Sequence, residues 1–126
     1  MPFLVSIGAR KVHDGSKNPK LLGAYVVDRV ERDGGVNHSD PAFTNSNYLA
    51  PGAMEWGHFS LVTGLKGAIP PYGTTNVNKA LIDTVEKAKT KLTSQHPQAY
   101  HRYVEWLVDW MRWALAECRQ PVIIIR

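Results

Sequence analysis

Three tryptophans lie on one short C-terminal segment, EWLVDWMRWALAE (residues 105–117), at spacings of four and three residues. Because successive residues of a helix are about 100° apart, these spacings place Trp106, Trp110 and Trp113 within roughly 80° on one side of a helix. Aliphatic side chains fill about 140° of the other side. This apolar sector is about twice as wide as the stripe that an ordinary surface helix needs. One layer of protein can cover the aliphatic side, so the aromatic side requires a second cover.

The sequence leaves three alternatives open for this second cover. The first is the segment 34–74, which carries few charges and is rich in glycine, proline and aromatic residues. The second is another protein chain or a second copy of this one, because monomers avoid leaving large aromatic patches in water. The third is a small-molecule ligand in an aromatic-lined pocket. The residues predicted for a ligand-binding or interface surface are Trp56, Tyr103, Trp106, Trp110 and Trp113.

Length, charge and cysteine content limit the class of protein. The 126 residues fit a single domain, 1–126, that buries a core without metal or disulfide support. The formal net charge of +4 falls short of the dense Lys/Arg face of a nucleic-acid-binding domain, so nucleic acid is not an expected partner. One cysteine, Cys118, agrees with a reducing compartment. No stretch approaches the roughly 20 apolar residues that span a bilayer, and we expect a cytoplasmic protein without a membrane partner.

Apolar runs and amphipathic patterns predict the regular elements. Strands are predicted at residues 3–7, 58–64 and 121–125, and the last is expected in the centre of a sheet because it is apolar on both faces. Helices are predicted over 76–92 and 97–118, where apolar residues recur at helical spacing.

Two segments are less regular. Residues 19–32 fit either a strand or a helix, and the capping residues at both ends favour a helix. Residues 34–57 are predicted as a loop-rich segment that folds over the tryptophan side. The predicted fold class is therefore α/β or α+β: a single domain in which a small mixed sheet packs against two C-terminal helices.

Glu55 and His58 are the catalytic candidates, with Asp40 as a helper. If residues 52–57 form a helical turn, the carboxylate and the imidazole share one side of it and can act as an acid–base pair. A carboxylate followed by a glycine before a core strand also resembles, over these few residues, the nucleoside deoxyribosyltransferase family, in which a glutamate is the nucleophile. The upstream Asp-containing nucleotide motifs of that family are missing. The structural alternative is that Glu55 caps a turn and His58 is a half-buried strand residue.

Thr74, Thr75 and Asn76 lie at the start of the predicted helix 76–92. Free N–H groups at a helix N-terminus attract phosphate or carboxylate, so these residues are predicted to bind an anion. The same residue types are also favoured there as simple helix caps. The five histidines and Cys118 show no ligand spacing such as HxxxH or CxxC, so we predict no metal and no cofactor.

Three functional hypotheses follow from these patterns. The first is a small binding protein that holds an aromatic or nucleotide-like small molecule between the 34–57 segment and the tryptophan helix. The second is an interaction module that forms homo-oligomers through Trp106, Trp110 and Trp113. The third is a small enzyme that uses Glu55 and His58.

Overall fold

Two apolar strands, β1 (Val5–Ala9) and β6 (Pro121–Ile125), form the centre of the sheet in the computed structural model, which describes residues 4–9, 11–12, 25–27, 30 and 46–126. The outer strands are β4 (Tyr48–Leu49) beside β1 and β5 (Gly73–Asn76) beside β6, which gives the order β4-β1-β6-β5. All neighbouring strands are antiparallel, so the sheet is not the predicted mixed one. The predicted central position of 121–125 is confirmed.

Three helices of the described chain pack against this sheet: α1 (Ala53–Thr63), α2 (Lys79–Ala88) and α3 (Gln98–Glu117). The two predicted C-terminal helices correspond to α2 and α3, and α1 is an additional one. The side of the sheet that faces them presents Val5, Ile7, Ile123 and Ile125 to one continuous core. On the opposite side, Val122 and Ile124 pack with Val27. The result is one small α+β domain with both faces of its central strands buried.

The strand predicted at 58–64 is wrong, because these residues belong to α1 and to the turn that follows it. The buried side chains of α1 are Trp56, Phe59, Ser60 and Thr63, which have the spacing of one helical face. The helix ends where Gly64 adopts a left-handed conformation with φ of 74°. The sequence resemblance to deoxyribosyltransferases depended on a core strand after Glu55 and loses that basis.

The helix preferred for 19–32 is also wrong where the structure describes it. Strand β3 (Tyr25–Val26) pairs antiparallel with β2 (Lys11–Val12), so the alternative of a strand is confirmed at these two positions. Cross-strand pairing prevails over the helix-capping signals of the local sequence. No helix in the described part of the chain combines the length and the apolarity needed to cross a membrane.

Candidate functional site

Two of the three tryptophans of α3 lie inside the core. Trp106 is 0% exposed and Trp110 is 1% exposed, in the same cluster as the aliphatic side chains of α3. Trp113 is half-buried and meets the ring of Trp110 edge-on at 5.1 Å between centroids. The indole N–H of Trp106 donates a hydrogen bond to the backbone carbonyl of Ser46 at 3.0 Å. A ligand or partner could reach Trp106 and Trp110 only if this core opened.

The second cover predicted for the aromatic side comes from within the chain. The indole of Trp56 on α1 lies 5.4 Å from the ring of Tyr103, and Phe59 meets Tyr103 edge-on at 5.2 Å. Such tilted and edge-on pairs are the favourable geometry for aromatic rings. The first of the three alternatives, cover by the 34–74 segment, is therefore observed in part: its aromatic rings cover Tyr103, and the carbonyl of Ser46 meets Trp106.

Glu55 and His58 lie one helical turn apart on the exposed side of α1. The helical turn on which the predicted acid–base pair depended is therefore present. Each of them is oriented by a buried tyrosine of α3. The hydroxyl of Tyr103 donates to a carboxylate oxygen of Glu55 at 3.4 Å, and the Tyr100 hydroxyl lies 2.8 Å from Nδ1 of His58. Asp40, the predicted helper, lies outside the described residues.

Tyr100 links the two candidate residues electrostatically. Its pKa is raised above the usual value of a tyrosine, first by burial and then by the negative charge of Glu55. The phenol therefore keeps its proton at neutral pH and acts as a hydrogen-bonding group. The ring of His96 stacks on its outer side at 6.4 Å between centroids. Glu55, His58, Tyr100 and Tyr103 thus form one polar patch along the seam between α1 and α3, which we call the seam patch.

Thr74, Thr75 and Asn76 are not at a helix N-terminus. They belong to the edge strand β5, where Thr74 pairs with Ile124 and Asn76 with Val122. The helix begins later, and its cap is Asn78, whose side-chain oxygen accepts the backbone N–H of Leu81 at 2.8 Å. The physical reason given for anion binding at these three residues, a set of free helical N–H groups, is therefore absent there.

Cys118 is half-buried beside the core at the end of α3. Burial raises the pKa of its thiol, with a smaller contribution from the charge of Glu117, while a backbone hydrogen bond from Ala9 acts in the opposite direction. A raised pKa leaves little thiolate at neutral pH, which is unfavourable for a nucleophile. Among the residues that the structure describes, no group of three or more His, Cys, Asp or Glu side chains could hold a metal ion.

A groove of about 560 Å³ lies between α2 and α3, and the sequence analysis missed it. Its lining residues are Glu86, Lys89, Val104, Glu105, Val108, Asp109 and Arg112. The guanidinium of Arg112 forms an ion pair with Glu86 that joins the two helices. On α3 the two lining valines, and likewise the two lining carboxylates, are four residues apart, which places both pairs on one face of the helix. This spacing is the sequence signal that could have identified the groove. We call this feature the α2–α3 groove.

Comparisons of the chain with protein-family models, with curated proteins and with solved structures found no match. The seam patch and the α2–α3 groove are therefore the two features of the structure from which a function can be inferred.

Proposed function

We propose that this domain is a small binding protein and that its ligand occupies the α2–α3 groove. The observation that carries the proposal is a concave surface of about 560 Å³ that combines two valine side chains with charged groups of both signs. Concave sites with an apolar part and a few convergent polar groups are the preferred places for small ligands. The hypothesis of a binding protein is kept from the sequence, and the site moves from the buried tryptophans to this groove.

The charges of the groove favour a cationic ligand. The ion pair between Arg112 and Glu86 neutralises one charge of each sign. The other charged lining groups are the carboxylates of Glu105 and Asp109 and the ammonium of Lys89. The lining thus contains three carboxylates and two cationic groups, on a chain whose net charge is +4. A primary ammonium group on an aliphatic tail would place its charge beside Glu105 and its tail on Val108, the half-buried valine of the lining.

The experiment compares three probes that share one tail and differ in charge: hexylammonium, hexanol and hexanoate. Each is titrated into the ¹⁵N- and methyl-labelled protein at neutral pH while NMR spectra are recorded. We expect hexylammonium to shift the methyl signals of Val104 and Val108 most, and hexanoate least. The proposal fails if hexanoate causes equal shifts, or if none of the three probes moves these signals.

A pair of variants separates groove binding from general attraction to an acidic surface. Glu105→Gln removes a carboxylate of the groove, and we expect it to weaken hexylammonium binding several-fold. Glu117→Gln removes an exposed carboxylate near the end of the same helix and outside the groove, so the affinity should stay unchanged. Equal weakening by both substitutions would mean that the probe binds through diffuse charge alone.

The seam patch supports a second candidate function, acid–base catalysis by Glu55 and His58. The observation that favours it is the pair of hydrogen bonds from Tyr103 to Glu55 and between Tyr100 and His58. A third group that orients the catalytic acid or base is a recurring feature of such sites. In this candidate, His58 would accept a proton from a water or a hydroxyl group and Glu55 would stabilise the resulting imidazolium.

An ester-hydrolysis assay with p-nitrophenyl acetate tests this candidate. General acid–base groups contribute about 10²- to 10⁴-fold to a reaction for which the site is built, so we expect at least a tenfold loss with His58→Gln and with Glu55→Gln. His101→Gln is the matched control, because His101 is a half-buried histidine of α3 that bonds to the carbonyl of Thr93. If the three variants lose the same activity, the reaction reports unspecific surface imidazoles and the candidate is excluded.

A further inference from the structure

The turn that precedes α3, residues 93–96, is held by two histidines that bond to the same residue. The backbone N–H of Thr93 donates to Nδ1 of His96 at 2.9 Å. The backbone carbonyl of Thr93 lies 3.1 Å from Nε2 of His101, in the first turn of α3, and also accepts the backbone N–H of His96 at 3.1 Å. Both backbone polar groups of Thr93 are therefore bonded to histidines.

The two imidazoles respond differently to protonation. A backbone N–H can only donate, so Nδ1 of His96 is the ring nitrogen without a hydrogen. A carbonyl can only accept, so Nε2 of His101 carries a hydrogen, which it keeps when the ring becomes charged. A proton added to His96 goes to Nδ1 and sets two donors against each other, whereas a proton added to His101 leaves its bond to Thr93 in place. The Thr93 hydroxyl, 3.4 Å from Nδ1 of His96, can accept the added hydrogen, but the opposing N–H remains.

His96 also connects this turn to the seam patch. Its ring stacks on Tyr100 with 6.4 Å between the centroids and 23° between the planes. Tyr100 is 4% exposed, and its hydroxyl lies 2.8 Å from Nδ1 of His58. A movement of His96 away from this position would uncover part of Tyr100, the residue that holds His58.

We infer that residues 93–96 form a pH-dependent strap over Tyr100, which is closed while His96 is neutral and is released when His96 takes up a proton. Histidine is the side chain that ordinarily changes its charge between pH 5 and 8, so mild acidification is the signal. The release gives solvent and small solutes access to Tyr100 in the seam patch. This inference requires neither a ligand in the α2–α3 groove nor catalysis by Glu55 and His58.

The other charged and titratable groups near the strap belong to α3, to α1 and to the segment before the strap. They are Tyr100 and His101 on α3, Glu55 and His58 on α1, and Lys89 and Lys91 before the strap. The two lysines are directed elsewhere, because Lys89 lines the α2–α3 groove and the ammonium of Lys91 lies beside Gly64. Tyr100 keeps its proton between pH 5 and 8, so a test has to separate the titration of His96 from that of the neighbouring groups on α1 and α3.

NMR spectra of the ¹⁵N- and ¹³C-labelled full chain between pH 8 and pH 5 test the strap. We expect the amide proton signal of Thr93 to move upfield as it loses its acceptor, with the same midpoint as the ring signals of His96. With a neutral, soluble paramagnetic probe, the ring signals of Tyr100 should broaden more at pH 5 than at pH 8. A Thr93 signal that stays in place while the His96 ring titrates would overturn the inference, and so would equal broadening of Tyr100 at both pH values.

Three substitutions assign the transition to one histidine. His96→Gln removes the titrating ring, and we expect the transition of the Thr93 signal to disappear. His101→Gln removes the other imidazole bonded to Thr93, and His58→Gln removes the imidazole on α1, so the transition should persist in both variants. A transition that survives His96→Gln, or that either control substitution abolishes, would show that acidification acts through another group.

Discussion

Helices α1 and α3 meet along one aromatic seam, yet their apolar residues are buried to different extents. On α3 the large apolar side chains Trp106 and Trp110 are fully inside the core. On α1, Trp56 and Phe59 are equally buried, whereas Met54 and Leu61 on its other side are exposed. Both helices are apolar on more than one side, but α3 buries its largest apolar side chains on both sides, whereas α1 buries them on one.

This difference shows that a wide apolar sector on a helix predicts that other groups must shield it from water, but it does not identify those groups. The sheet covers one side of α3, while Trp56 and Phe59 of α1 cover Tyr103 and the carbonyl of Ser46 meets Trp106. The same requirement then applies to α1, which has become the outer layer. The tryptophans of α3 raised the question of what covers an apolar helix side. In the structure this question applies to the outer side of α1.

The largest loss of stability that tests the difference in burial between α1 and α3 is expected at Trp106. Trp106→Ala removes a fully buried indole and its hydrogen bond to Ser46, and we expect a loss of about 3–5 kcal/mol in the free energy of unfolding. Leu61→Ala, on the exposed side of α1, should stay within about 0.5 kcal/mol. Urea denaturation at low micromolar concentration measures both. Equal losses would mean that the two helices are not buried as differently as described.

Two glycines of the α1 region give the next largest contrast. Gly64 has φ of 74°, a conformation that costs an L-residue about 1–2 kcal/mol, so Gly64→Ala should destabilise the protein by that amount. The new Cβ would also come within 2.9 Å of the Lys91 ammonium, which can move away. Gly57→Ala has helical geometry and free space, so it should stabilise the protein by about 0.5–1 kcal/mol. Thermal denaturation of the dilute proteins checks whether the two signs are opposite.

The exposed side of α1 also explains why its sequence predicted a strand. Strands β1 and β6 and helices α2 and α3 are predictable, because their apolar residues either run continuously or recur on one helical face. In α1 the exposed residues Met54 and Leu61 are as apolar as the buried residues Trp56 and Phe59, so the apolar residues are not confined to one helical face and the helical period is not visible. The position of this helix is decided by its packing on Tyr103, which the local sequence does not contain.

The candidate sites were predictable to different degrees. The helical turn that carries Glu55 and His58 is present in α1, whereas Tyr100, which bonds to His58, comes from a distant helix and was missed. Thr74 to Asn76 form a strand because β6 offers them cross-strand hydrogen bonds, and the local sequence cannot show this pairing. The α2–α3 groove likewise exists only once the two helices pack side by side.

Substitution of Asn78 tests whether α2 begins at this cap, and the expected loss of stability is of intermediate size. Asn78→Ala removes the side-chain oxygen that accepts the N–H of Leu81, and losing such a cap costs about 1 kcal/mol. Asn76→Ala is the control, because Asn76 is exposed on the edge strand, and it should change stability by less than about 0.5 kcal/mol. Chemical denaturation of both variants distinguishes the two residues. A larger loss at Asn76 would place the functional cap where the sequence first suggested it.

The smallest expected effect concerns the seam where α1 and α3 meet. Burial, and then the charge of Glu55, raise the pKa of Tyr100 above its ordinary value of 10.0. The folded protein therefore keeps the phenol proton at a pH where the unfolded chain has lost it. Stability from this linkage is complete below about pH 10 and decreases as the pH rises above it. We expect Tyr100→Phe to remove this part of the decrease, because phenylalanine does not ionise.

The measurement is the free energy of unfolding of both proteins between pH 8 and pH 11, determined by urea denaturation. Tyr100→Phe also loses the hydrogen bond to His58, which lowers the stability of the variant as a whole. Only the slope above pH 10 therefore reports the titration of Tyr100, and lysines and other tyrosines contribute equally to both curves. Parallel curves would show that α1 and its carboxylate do not shield Tyr100 from ionisation, and the seam would be more open than its hydrogen bonds imply.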